Sequence, residues 1–158
     1  LVERRIVPLE RLTEESFQSC GYVIKGEEEI PIEMDGIPSI SILEVKRRPF
    51  EFCEMARHRR TMQAFVPLGG QPWALAVAPP EGIHNPATLP DVGRIRAFLI
   101  PGDRGVMIRR GTWHYGPLHF EEKAYFVNIE EKGTNENDFD LKSIERALGV
   151  MIAIDLNI

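Results

Sequence analysis

The stretch Gln63–Leu68, the corner Gly69-Gly70-Gln71-Pro72 and the run Trp73–Ala78 leave this chain little freedom. Two apolar runs of strand length joined by a glycine–proline corner make a hairpin, because glycine supplies the backbone conformations that a tight turn needs. The same punctuation recurs along the chain. Tyr22–Lys25, Ile37–Val45, Phe50–Ala56, Ile95–Ile100, Val106–Arg109, Ala124–Glu130 and Val150–Leu156 read as strands, with Asp35-Gly36 and Pro101–Gly105 as turns. In Ile37–Val45, Ser39 and Ser41 alternate with Ile40 and Ile42, the period-two pattern of a half-buried strand. Helix signals are few. Thr13 reads as an N-cap ahead of Glu14 and Glu15, where the helix dipole favours carboxylates, and Gly21 as a stop, so a helix is predicted over Thr13–Cys20. A second is predicted over Asp140–Leu148, closed by Gly149. Between them lie an aperiodic, proline-rich crossing, Pro79–Pro90, and an acidic polar loop, Glu130–Asp138. Many short strands with glycine and proline at the corners predict an all-β chain with short helices, a sandwich or barrel rather than a wound parallel sheet.

With 158 residues, the chain is expected to form a single domain over 1–158, large enough to bury a core without staples. A net charge of −5 argues against a nucleic-acid partner, which needs a basic face. Arg57-His58-Arg59-Arg60 and Arg109-Arg110 are basic but too short and too separated to act as a tail. No apolar run approaches the ~18 residues of a membrane span, and the start, charged from Glu3 onward, shows no signal peptide. Cys20 and Cys53 lack metal-binding spacing and read as two core thiols in a reducing compartment. The expectation is a cytoplasmic protein without a membrane partner.

Two segments carry candidate chemistry. One runs from His58 through Gln63, five residues on, to the Gly69-Gly70 turn. The other runs Gly102-Asp103-Arg104-Gly105-Val106-Met107-Ile108-Arg109-Arg110-Gly111-Thr112-Trp113-His114. Both are similar to the two motifs of a cupin, in which a histidine is followed by Glu or Gln and a glycine turn, and a later strand reads Gly-Asp…Gly-x-x-His. The resemblance implies a jelly-roll β-barrel (a double-stranded β-helix) with His58, Gln63 and His114 pointing into one mouth. Side-chain alternation along strands makes that convergence physically reasonable.

In finer detail, "HRRTMQAFVPLGG", "IRAFL", "GVMIRRGTWH", "NIEEKGTNENDFDLKSI" and the opening "VPLERLTEESFQSCGYVI" resemble the ureidoglycolate lyase family. The chain departs from the family pattern at Met62, Arg109, Tyr115 and Glu131. The resemblance implies a cytosolic, dimeric enzyme that splits ureidoglycolate into glyoxylate and urea in allantoin (purine) breakdown.

Chemistry gives an independent reading. Ureidoglycolate is a carbinolamide, and breaking its C–N bond needs a base on the hydroxyl and an acid on the departing urea nitrogen. His114 and His58 suit these roles, since an imidazole titrates near neutrality. Gln63 can hold the ureido group with its paired donor and acceptor, and Arg109 or Arg110 can meet the carboxylate. Adjacent residues on a strand face opposite ways, so only one of the two arginines can enter the barrel, and which one stays open. Trp113 is a further substrate-binding candidate, read as core or pocket wall in preference to a stacking platform, and His84 and His119 read as surface or core residues. Ala56 stands where a cupin's first ligand histidine would be, and Gln63 replaces a carboxylate. That makes a weak site for a divalent metal, and no cofactor is expected. The partner expected is a small hydroxy or oxo acid. Two other readings share the fold: a non-catalytic module that binds a small carboxylate, and a metal-dependent cupin isomerase or oxygenase.

Overall fold

Backbone pairing sorts the strands into two sheets. A computed structural model describes residues 1–158. Along the chain its elements are β1 Glu3–Arg11, α1 Glu14–Phe17, β2 Gly21–Ile24, β3 Pro38–Lys46, β4 Glu51–Phe52, β5 Glu54–Arg57, β6 Gln63–Leu68 and β7 Trp73–Ala78. They continue with β8 Arg96–Ile100, β9 Gly105–Ile108, β10 Trp113–His119, β11 Lys123–Glu131, α2 Thr134–Asn137, β12 Asp140–Ser143, α3 Ile144–Leu148 and β13 Val150–Asp155. One sheet has the order β2-β9-β6-β11-β3; the other has the order β12-β5-β10-β7-β8-β1-β13-β4. Taking β3 and β5 through β11 as strands one to eight, the sheets contain the orders 6-3-8-1 and 2-7-4-5. Every neighbouring pair in those two sets is antiparallel. That is the strand order of a jelly roll. The fold is all-β with short helices, as the strand punctuation predicts.

The barrel interior lies between the two sheets. Phe65, Val106, Ile108 and Phe126 of the smaller sheet pack against Trp73, Leu75, Val77, Phe98 and Ile100 of the larger, with Phe17 of α1 closing the cluster. Trp73 and Phe126 meet at 5.0 Å between ring centroids. On its other face the larger sheet buries a second core, in which Met55, Ala74, Ala76, Ala78, Trp113 and Leu118 meet Val7, Phe52, Ile144 and Ile152. The alanines of β7 therefore belong to one core and its Trp, Leu and Val to the other, which is why that strand is buried throughout.

Three local expectations need correction. The first helix is one turn, Glu14–Phe17, with Thr13 and Ser16 closing a capping box. The helix expected over Asp140–Leu148 begins as strand β12, paired with β5, and turns helical only at Ile144. Ser143 is the cap there, its Oγ accepting from Arg146 N at 3.1 Å. The run Phe50–Ala56 divides, because β4 pairs with β13 while β5 pairs with β10. Strand β10, Trp113–His119, contains Gly116-Pro117. The ladder absorbs it as a bulge between Tyr115 and Leu118, with Gly116 at φ +127° where a side chain would be strained. No helix is long and apolar enough to cross a membrane.

Candidate functional site

Strand parity delivers three predicted residues to one end of the barrel interior. In β5, Met55 and Arg57 face the outer core, so Ala56 and the residue after the strand, His58, face inward. In β10, Trp113 and Tyr115 face the outer core and His114 faces inward, opposite Val77 and Ala56. In β6, Gln63 shares its face with Phe65. The rings of His58 and His114 lie 5.7 Å apart and those of Phe65 and His114 lie 6.0 Å apart. His58, Gln63 and His114 are all buried.

Two further residues complete the cluster. Asn128 and Glu130 follow Phe126 on the inward face of β11. The Gln63 Nε2 donates to Asn128 Oδ1 at 2.8 Å, and Asn128 Nδ2 donates to Glu130 Oε2 at 2.7 Å. A carboxylate only accepts, which orients both amides and leaves Gln63 Oε1 as a free acceptor. At the other side, His58 Nδ1 donates to the carbonyl of Asp138 at 2.7 Å. Its Nε2 therefore faces Glu130 Oε1, 3.6 Å away. Gln63 Oε1 and Glu130 Oε1 are both buried without a hydrogen-bond partner. A buried acceptor left without a donor costs free energy, about 1–3 kcal/mol each, so a donor group reaching either oxygen is favoured.

Burial pushes the His114 imidazole down to about 3, the neighbouring His58 adds to the shift, and a long contact from Nδ1 to the Thr112 carbonyl opposes it weakly. At neutral pH His114 is an uncharged ring.

The remaining predicted residues lie elsewhere. Strand β9 ends at Ile108, so Arg109 and Arg110 sit past it and the either-or of strand parity does not apply. Arg109 stacks on the Tyr22 ring at 4.4 Å and donates to the Gln18 carbonyl, on the outside of the barrel. Arg110 pairs with Asp35 at 2.7 Å and helps line a cavity of about 360 Å³ with Arg59, Arg60, His84 and Asp138. Since Asp138 also holds His58, this cavity lies directly outside the polar end. Trp113 is fully buried in the outer core beneath the guanidinium of Arg57, 4.5 Å from its ring. His119 is a core residue with both nitrogens engaged. Cys20 is buried and its thiol is pushed up to about 11, mainly by that burial, while Cys53 is half-buried.

The basic run 57–60 begins in the core and ends at exposed Arg60. Arg57 is fully buried, pairs with Asp140 at 2.9 Å and donates to the carbonyls of Glu81, Gly82 and Asn85, which ties down the proline-rich crossing. Asn128 and Glu130 escaped the motif reading, which looked for histidines. Their signal is the alternation Phe126, Asn128, Glu130: polar residues on the parity that the strand's phenylalanine marks as inward.

The donor set does not fit a resident metal ion. No three His, Cys, Asp or Glu side chains converge closely enough to hold one. Ala56, which has no donor, occupies the inward position beside His114, and one oxygen of Glu130 is taken by Asn128.

Fold and site together define a small jelly-roll barrel whose interior is apolar at one end and carries imidazole, carboxylate and amide groups at the other. Residues 33–151 match the family model described as ureidoglycolate lyase. The chain is 30% identical to a ureidoglycolate lyase of Pseudomonas paraeruginosa, over 84% of this chain and 88% of that protein. It is 31% identical to one of Brucella melitensis, over 82% of this chain and 85% of that protein. Among solved structures, it is similar in backbone to an oxalate decarboxylase of Lactobacillus farciminis (TM-score 0.44, 13% identity, 81% of this chain and 32% of that one). It is also similar to a dTDP-4-dehydrorhamnose 3,5-epimerase of Elizabethkingia anophelis (TM-score 0.46, 16% identity, 76% of this chain and 62% of that one). This chain belongs to the ureidoglycolate lyase family.

Proposed function

We propose that the chain is itself a lyase that splits ureidoglycolate into glyoxylate and urea, a step of allantoin breakdown. In the reaction the hydroxyl loses its proton, the carbonyl of glyoxylate forms as the C–N bond breaks, and the electron pair left on the urea nitrogen takes up a proton. The observation that carries this reading is the buried cluster of His58, Gln63 and His114 with an unpartnered acceptor at Gln63 Oε1. A ureido group is rich in N–H donors and supplies what that acceptor lacks. His58 exchanges the proton at Nε2. His114 hydrogen-bonds the substrate as a neutral imidazole, since burial keeps it uncharged. Arg110, in the cavity just outside, meets the incoming carboxylate. Arg109, whose guanidinium is spent on the Gln18 carbonyl and the Tyr22 ring, is given no part in that task, and Trp113 shapes the site by packing behind β10.

The reaction as proposed uses no metal or other cofactor. The working unit is proposed to be one domain, cytoplasmic and paired as a homodimer. The exposed Ile37, Ile40 and Ile42 on and beside edge strand β3 support a covered face. The test is timed release of glyoxylate and urea from ureidoglycolate by the purified protein, with and without a chelator. Equal release of both products, unaffected by chelation, is expected; absence of either product overturns the reading.

A further inference from the structure

We infer that Glu130 is the base that removes the hydroxyl proton, working as a pair with His58. This rests on the lyase reading above and adds a residue to it. Three features of Glu130 single it out. Its side chain is nearly buried, at 12% exposed, in the same cluster as the two histidines. Its Oε2 is held by Asn128, which is held by Gln63, so the carboxylate cannot swing. Its Oε1 has no partner and faces His58 Nε2 at 3.6 Å. The next residue, Glu131, turns to the opposite face, where it binds the backbone N–H of Gly36 and pairs with Arg60 at 3.4 Å. Of the two adjacent glutamates, one is a structural tie and the other is left free toward the site.

The pair closes the proton count. Glu130 takes the hydroxyl proton as the carbon–oxygen double bond forms and the C–N bond breaks. Protonated His58 gives its Nε2 proton to the urea nitrogen, which holds the electron pair of the broken bond. Glu130 is then protonated and His58 neutral, and transfer between the two facing atoms restores the starting state without any other reactant. His58 is kept in register by Asp138, whose carbonyl takes Nδ1 and whose carboxylate takes the backbone N–H groups of Arg59 and Arg60. Asn128 is a positioning residue, since it reaches the reaction only through Glu130.

The experiment compares wild type, Glu130→Gln and Glu130→Ala for release of glyoxylate and urea, with thermal unfolding of each. The Gln variant keeps the shape and can still accept from Asn128, but takes up no proton. Expected is a fall in kcat of about 10²–10⁴-fold, the usual range for a positioned proton-transfer group, with KM changed by less than about threefold. Added formate is expected to restore part of the turnover of Glu130→Ala by filling the space with a small carboxylate. A folded Glu130→Gln with near wild-type kcat overturns the inference and leaves the lyase reading standing. So does a Glu130→Ala that formate leaves unchanged alongside a Glu130→Gln that has lost its fold. A wild type that releases no urea overturns both.

Discussion

Histidines 114 and 119 lie on one strand, five residues apart, and both face the barrel interior. Plain alternation would put them on opposite faces; the bulge at Gly116-Pro117 brings them to the same one. There the likeness stops. His119 sits opposite Trp73 near Phe126 at the apolar end. It donates from Nε2 to the Val45 carbonyl at 2.7 Å and accepts at Nδ1 from the Glu121 N–H at 3.2 Å. Both its nitrogens are spent on the fold. His114 sits at the polar end with a single 3.5 Å contact and a neighbouring imidazole. The difference teaches where the barrel keeps its chemistry. At one end His119 has both nitrogens satisfied; the other leaves Gln63 Oε1 and Glu130 Oε1 unmatched.

That contrast can be broken most directly at His114. Replacing it by Ala is expected to cut turnover by about 10²–10³-fold, the loss typical of one preorganised hydrogen-bonding group. The cost in stability should stay below about 2 kcal/mol, because the ring's own hydrogen bonding is poor. Turnover and Tm measured on the same variant check both halves, and full activity would make His114 a packing residue.

His119→Ala should do the reverse. It strands the Val45 carbonyl and the Glu121 N–H and opens a hole beside Phe126, for a loss of about 2–4 kcal/mol. In a chain of this size that is a drop in Tm of roughly 4–16 °C. Turnover per folded molecule should be unchanged. If His119→Ala lowers kcat instead, the two ends are not separate.

Acid unfolding sharpens the comparison. In the unfolded chain His114 takes up its proton near 6.5, whereas in the fold it does so only at about 3. Between those values the unfolded state binds the extra proton, so stability falls as pH drops from about 6.5 toward about 3. Above that window this residue contributes no slope. Denaturant titrations across the window should show His114→Gln with a slope shallower by up to about 1.4 kcal/mol per pH unit. An unchanged slope would mean that His114 is not held neutral. The smallest effect on turnover is expected at Arg109: Arg109→Ala should leave turnover intact and cost about 1 kcal/mol of stability for its lost stacking and hydrogen bonds, read from kcat/KM and Tm together.

Much of this arrangement was legible from local chemistry. The strands β6 and β7 and their corner follow from alternation and glycine placement, and the glycine-spaced motifs brought His58, Gln63 and His114 together as expected. Parity alone also marks Asn128 and Glu130 as inward once Phe126 is taken as core. The misreadings share a cause. At Asp140–Leu148 the stop at Gly149 made the whole segment read as helix, but Asp140 pairs with buried Arg57 and pairing with β5 keeps the first four residues extended. At Phe50–Ala56 one apolar run serves two distant partners, and no local pattern says where a run divides.

What the sequence by itself determined is an all-β sandwich or barrel, because period-two burial and turn glycines act through neighbours along the chain. The jelly-roll kind and its polar end followed from the likeness of its two motifs to a cupin's. What only the tertiary structure decided is the direction of each hydrogen bond and the fate of each charge. Arg57 could be buried because Asp140, 83 residues away, and three loop carbonyls meet it. Glu130 and Glu131 are identical in type and adjacent in sequence, yet one is tied to the Gly36 N–H and the other is turned to His58. A carboxylate's role depends on which donors reach it, and those donors arrive from strands and loops that the chain brings together only on folding.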